Sequence, residues 1–163
     1  MRRAVAFTGE SNSGKTTLIV KLATLLTPTH RVAIVKNDPK DKAQFDTAGK
    51  DSYRFFATGA DVAVLSPTRT TLFSHSASGI DRVIALFDEF DYLFVEGQKH
   101  LPLPRIAIFR ESVDATYFDY AEAVAIDGAI DPIKSNIPNT LALLDLNNTQ
   151  MVLDWIDKNA KEV

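Results

Sequence analysis

Residues Gly9 to Thr17 read G-E-S-N-S-G-K-T-T, and they follow directly on the apolar run Ala4-Val5-Ala6-Phe7. A loop with glycines at these two positions can turn its backbone where no Cβ is tolerated. Its successive amide N–H groups then face inward and cradle phosphate oxygens. Lys15 is placed to reach the β- and γ-phosphates of a nucleotide, and the Thr16 hydroxyl to ligate Mg²⁺. The nucleotide-binding residues are therefore read as Gly9, Ser11, Asn12, Ser13, Gly14, Lys15, Thr16 and Thr17. Context strengthens the motif. A buried strand precedes it, and Leu18, Ile19, Leu22, Leu25 and Leu26 follow at helical spacing, so the loop opens a helix whose N-terminal amides and dipole attract anions.

The rest of the chain alternates in the same way. Arg31 to Lys36 is a β-branched run that ends in the turn-prone Asn37-Asp38-Pro39, completing one βαβ unit. A helix is expected to begin near Gly49 and stop at Gly59, followed by a strand over Asp61 to Leu65. Thr68 to Phe73 reads as another strand, antiparallel to its neighbour, and a short helix carries Ile80, Val83, Ile84 and Phe87. Asp91 to Gly97, Arg105 to Phe109 and Ala123 to Ile126 are three further strands. The chain closes with a helix capped by Asn148, whose apolar stripe is Val152, Trp155 and Ile156. Strands and helices alternating at these lengths predict an α/β fold of the P-loop NTPase type. Its sheet is doubly wound and mostly parallel, with helices on both faces and an antiparallel strand or hairpin. With 163 residues, 45% of them hydrophobic, and no linker-like tract, a single domain over residues 1–163 is expected.

Composition removes several classes of function. The net charge is -3 and the lysines and arginines are scattered, so no basic footprint for nucleic acid is present. Without cysteine there is no disulfide framework, thiolate zinc site or catalytic thiol, and His30, His75 and His100 lack a metal-ligand spacing. No segment reads as a secretory signal or a membrane span, so a cytoplasmic protein with no membrane partner is expected.

A bound triphosphate carries about four negative charges, which calls for Mg²⁺ and for carboxylates to hold its water shell. Glu96, at the end of an apolar strand, is suited to hold the metal through water or to orient an attacking water; the alternative is that it caps the adjoining loop. Asp38 ends the second strand on the same rim, as a metal-side carboxylate or as a turn former. In the stretch Asp46 to Arg54, Lys50 and Arg54 are four apart on a helix. They form a second anion or partner patch with Asp46, Asp51 and Ser52, or else an ordinary solvated face.

The loop, the segment F-D-T-A-G-K-D-S-Y-R-F-F-A-T-G-A (Phe45 to Ala60) and D-Y-L-F-V-E-G-Q-K (Asp91 to Lys99) together resemble the MobB family, GTP-binding accessory proteins in the biosynthesis of molybdopterin guanine dinucleotide. The likeness extends to P-R-I-A-I-F-R (Pro104 to Arg110) and to I-P-N-T-L-A-L-L-D-L-N-N near the C-terminus. It implies a dimeric P-loop protein that binds GTP with Mg²⁺, hydrolyses it weakly at most, and serves a MobA-type guanylyltransferase, with molybdopterin as a second ligand. By position, the loop would hold the phosphates, Glu96 would serve metal or water, and the Asp46 to Arg54 patch would meet the pterin phosphate or the partner. The chain departs from the family pattern at two places, having Asn37-Asp38-Pro39 where histidines are usual and Gln98 where an aromatic residue is common. An Asn-Lys-x-Asp guanine motif is also missing; Asp127, ending a late strand, is a candidate base-reading carboxylate or a turn former. A small-molecule kinase using the same loop, or a module that merely holds an anion, are the competing functions. Arg105 and Arg110 both lie in or beside a strand, so an arginine-bearing kinase lid is not evident.

Overall fold

The first apolar run forms β1 (Arg3–Thr8), the central strand of a computed structural model that describes residues 2–163. The chain divides into two compact units, one made of the residues up to Asn37 together with Phe87–Val163, the other of Asp38–Leu86.

In the first unit, β1 is followed by α1 (Lys15–Leu26), β2 (Val32–Lys36), β5 (Tyr92–Glu96), β6 (Arg105–Phe109), a 3₁₀ segment (Ala115–Tyr120), β7 (Ala123–Ile126), β8 (Ala142–Asp145), α4 (Thr149–Asn159) and β9 (Lys161–Glu162). Among the described residues these strands form one seven-stranded sheet in the order β2-β5-β1-β6-β7-β8, all parallel, with β9 antiparallel to the start of β1. β1, β5, β6 and β7 are buried along almost their whole length, as expected for parallel strands covered on both faces.

Alternate residues divide between two cores. Val5, Phe7, Tyr92, Phe94, Ile106 and Ile108 pack beneath Leu18, Ile19, Leu22 and Leu26 of α1 and Val152, Leu153 and Ile156 of α4. On the opposite face, Ala107, Phe109, Val124 and Ile126 meet the 3₁₀ segment through Tyr117 and Phe118. The stripe of α1 is narrower than its spacing suggested, since Leu25 is 46% exposed. In α4, Asn148 accepts from the Met151 N–H at 3.0 Å, the expected cap, while Leu153 rather than Trp155 lies fully within the stripe.

The second unit holds α2 (Asp51–Phe56), β3 (Val62–Ser66), β4 (Arg69–Phe73) and α3 (Ile80–Ala85). Its two strands form the antiparallel pair read from the sequence, registered from Val62 opposite Phe73 to Ser66 opposite Arg69. Phe56 stacks on His75 at 3.8 Å between ring centres and approaches Phe73 at 5.9 Å. Val64, Leu65 and Leu72 of the hairpin are exposed. This is the mostly parallel α/β architecture with a small antiparallel pair that the sequence pattern anticipates.

Candidate functional site

Ligands of open parallel sheets bind beyond the carboxyl ends of the strands, and the order of strands decides which side chains meet there. Along this rim come, in turn, Lys36 from β2, Glu96 from β5, the loop after β1, Arg110 after β6, Asp127 after β7 and Asn147 after β8. The loop is held tightly against β6. Gly9 has φ 144°, and a Cβ there would stand 2.5 Å from the Ile108 backbone oxygen and 2.8 Å from the Ser13 Oγ. Gly14, at φ 99°, occupies the N-cap position of α1 without any side-chain cap, so the first-turn amides keep their capacity to bind an anion. Asn12 also lies in the left-handed region, at φ 65°.

Ser11, Asn12, Gly14, Lys15, Thr16 and Thr17 line a cavity of about 420 Å³ whose remaining walls are Lys36, Glu96 and Arg110. A wider open cleft of about 590 Å³ lies where the strands begin, around Arg2, His30, Arg31 and Asp91. It holds no part of the phosphate loop.

Within the cavity the two lysines are already engaged. Lys15 Nζ donates to the Gly9 carbonyl at 2.9 Å and to the Glu10 carbonyl. Its amine is half-buried, and burial lowers its pKa, with the Glu96 charge opposing that effect and Lys36 adding to it. Glu96 and Lys36 stand directly opposite each other on neighbouring parallel strands. Lys36 Nζ donates to both Glu96 oxygens at 3.0 Å. Among the described residues no group of three or more His, Cys, Asp or Glu could enclose a metal ion. The donors present, a threonine hydroxyl and one strand-end carboxylate, suit a Mg²⁺ that keeps waters and phosphate oxygens as its other ligands.

The turn after Glu96 is fixed by a buried arginine. Arg105, 1% exposed, donates to the Gly97 carbonyl at 2.7 Å and the Gln98 carbonyl at 2.8 Å. Gln98 Nε2 in turn donates to Asn37 Oδ1 at 3.0 Å, tying the turn after β5 to the residue that follows β2. At the far end of the rim, Asp127 accepts from the Ala129 N–H at 3.1 Å and from Asn147 Nδ2 at 3.2 Å. These bonds, the Ala129 amide first, hold its carboxyl below the usual carboxylate range.

The other predicted residues lie in the second unit. Asp38 accepts from the Lys42 and Ala43 N–H groups, both at 2.7 Å, which is turn chemistry. Asp46 accepts from the Thr47 N–H at 2.8 Å, and its second oxygen is sheltered without a hydrogen-bond partner among the described residues. α2 starts at Asp51 with Lys50 as its N-cap residue and Ser52 in its first turn; Arg54 stands 3.9 Å from Asp51 in an exposed pair. Lys36, Arg105, Arg110 and Asn147 were not singled out as site residues from the sequence. The signal for Lys36, Arg110 and Asn147 is strand order, which places the ends of β2, β6 and β8 on the loop's rim, whereas Arg105 opens β6 and reaches the turn after β5.

A parallel sheet with this loop seated between its central strand and first helix places the chain in the class of P-loop NTPase-like proteins. Comparison with known proteins narrows the class. The family described as molybdopterin guanine dinucleotide synthesis protein B, MobB, matches residues 4–127, and the chain belongs to that family. It is 30% identical over 161 residues to the molybdopterin-guanine dinucleotide biosynthesis adapter protein of Haemophilus influenzae, covering 94% of this chain and 86% of that one. The adapter protein of Escherichia coli K12 is 29% identical over 168 residues, covering 94% and 93%. Among solved structures, that of Bacillus subtilis MobB superposes with a TM-score of 0.77 over 99% of each chain at 22% identity, a likeness of fold.

Proposed function

We propose that this chain is a Mg-GTP-binding adapter of molybdopterin guanine dinucleotide biosynthesis that assists a MobA-type guanylyltransferase in the cytoplasm, as a homodimer and with weak GTPase activity at most. A single observation carries the reading: one rim holds the phosphate loop, a carboxylate–lysine pair on one flank and the Asp127–Asn147 pair on the other. Gly9, Ser11, Asn12, Ser13, Gly14, Lys15, Thr16 and Thr17 would hold the phosphates, and Thr16 with Glu96 the metal. An ionised Asp127 favours guanine, whose ring N–H and amino group are donors, over adenine, which presents a ring acceptor at the corresponding edge. Because Glu96 is clamped by Lys36, the ammonium competes with metal-bound or attacking water for its oxygens, which supports a slow turnover. The relatives' description as adapter proteins supports the pathway. Lys50 and Arg54 would meet the partner or a pterin phosphate, with Asp46, Asp51 and Ser52 shaping that patch.

The test is calorimetric titration with Mg-GTP and Mg-ATP, alone and with a molybdopterin-loaded guanylyltransferase, alongside phosphate release. Selective GTP binding with slow release is expected. Fast ATP turnover dependent on a small acceptor would instead establish a kinase. Replacing Lys50 and Arg54 together with Ala should leave GTP affinity unchanged and impair guanylation in the coupled assay; full guanylation would return that face to solvent.

A further inference from the structure

Arg110 is a cation held over the phosphate loop with no ion-pair partner among the described residues, its charge felt only at a distance by Asp127. It follows β6, whose end abuts the loop: the Ile108 carbonyl is the atom a Cβ on Gly9 would strike, at 2.5 Å. From there the guanidinium reaches across to α1. Its Nη2 and Cζ lie 3.7 and 3.9 Å from where a Cβ on Gly14 would be. Among the described residues no carboxylate lies within ion-pair distance of it, whereas Lys36 at the same cavity is paired with Glu96. Such a group is positioned to neutralise something that arrives.

The strand order says which part of a nucleotide that is. Neighbouring strands are about 4.8 Å apart, so β5 and β6 place Glu96 and Arg110 on opposite flanks of the loop, and β7 places Asp127 one strand further along. A nucleotide laid along this rim with its metal and terminal phosphate toward Glu96 turns its nucleoside toward Asp127. Arg110 then falls beside the phosphate attached to the ribose. We propose that Arg110 binds the α-phosphate, as a planar fork on its non-bridging oxygens. This rests on the nucleotide reading of the site, and it divides the labour there: Lys15 and the Glu96 flank serve the outer phosphates, and Arg110 the one common to mono-, di- and triphosphates.

Equality of loss is the signature. Calorimetric titration of Arg110→Ala with Mg-GTP and with Mg-GDP should show both dissociation constants raised by the same factor, about 10- to 100-fold. Arg110→Lys should recover only part of each, and since the side chain is exposed the melting temperature should not change. Unchanged affinities, or weakening of GTP with GDP unaffected, would overturn the α-phosphate assignment while leaving the nucleotide site in place. Wild-type protein that binds neither nucleotide would overturn the underlying reading and this inference with it.

Discussion

Lys15 does in this structure what it would do for a phosphate, satisfying its ammonium on the oxygens of Gly9 and Glu10. A bound nucleotide would replace those neutral carbonyls with anionic oxygens, turning contacts between an ion and a dipole into ion pairs. Lys15→Ala is therefore expected to weaken Mg-GTP binding by about a hundredfold or more, read by calorimetry; unaltered affinity would remove the site from the loop. Tyr92 gives a second prediction at the scale of one side chain. Its ring is buried, its hydroxyl donates to Asp157 at 2.7 Å, and burial with that bond pushes its pKa up to about 12. A raised pKa means that the unfolded chain ionises first, so the stability Tyr92 contributes is intact below its ordinary pKa of 10.0 and is lost as pH rises toward about 12. Urea titrations across that window should show a falling midpoint, with a shallower fall in Tyr92→Phe.

Elements set what a residue can tolerate. Gly9 joins the strand β1 to the loop so close to β6 that an added methyl meets a backbone oxygen at 2.5 Å, and its φ of 144° suits glycine alone. Gly9→Ala is expected to cost about 1–3 kcal/mol in urea unfolding and to abolish GTP binding, since the strand edge cannot retreat as a flexible side chain would. The loop was legible in the sequence because its residues are contiguous. So were β1, β5, β6 and β7, whose burial on both faces leaves unbroken apolar runs. β8 was not, because its short run Leu141-Ala142-Leu143-Leu144 holds no β-branched or aromatic residue and fits a helix as well as a strand. The 3₁₀ segment has no sustained period to read, and β9 is two polar residues defined only by pairing with β1. The same cause hid Lys36, Arg110 and Asn147: they reach the site through a strand order that local spacing does not encode.

For the whole molecule, the proposed homodimer needs a surface. β3 and β4 form a sheet of only two strands, so each leaves an edge that a second chain could extend, and Leu65 is 78% exposed on it. Leu65→Lys is expected to shift a dimer toward monomer in sedimentation equilibrium; an undisturbed dimer would place the interface elsewhere. The segment Asp38–Leu86 has one more duty. β2 and β5 are immediate neighbours running in the same direction, so the chain leaving the top of one has to travel back to the foot of the other. A tight turn cannot make that journey, and a return path needs a dozen residues or more. Trimming this stretch to a minimal hinge would thus cost more than the hairpin. It would strand the edge of the main sheet, and with it the lysine that holds Glu96.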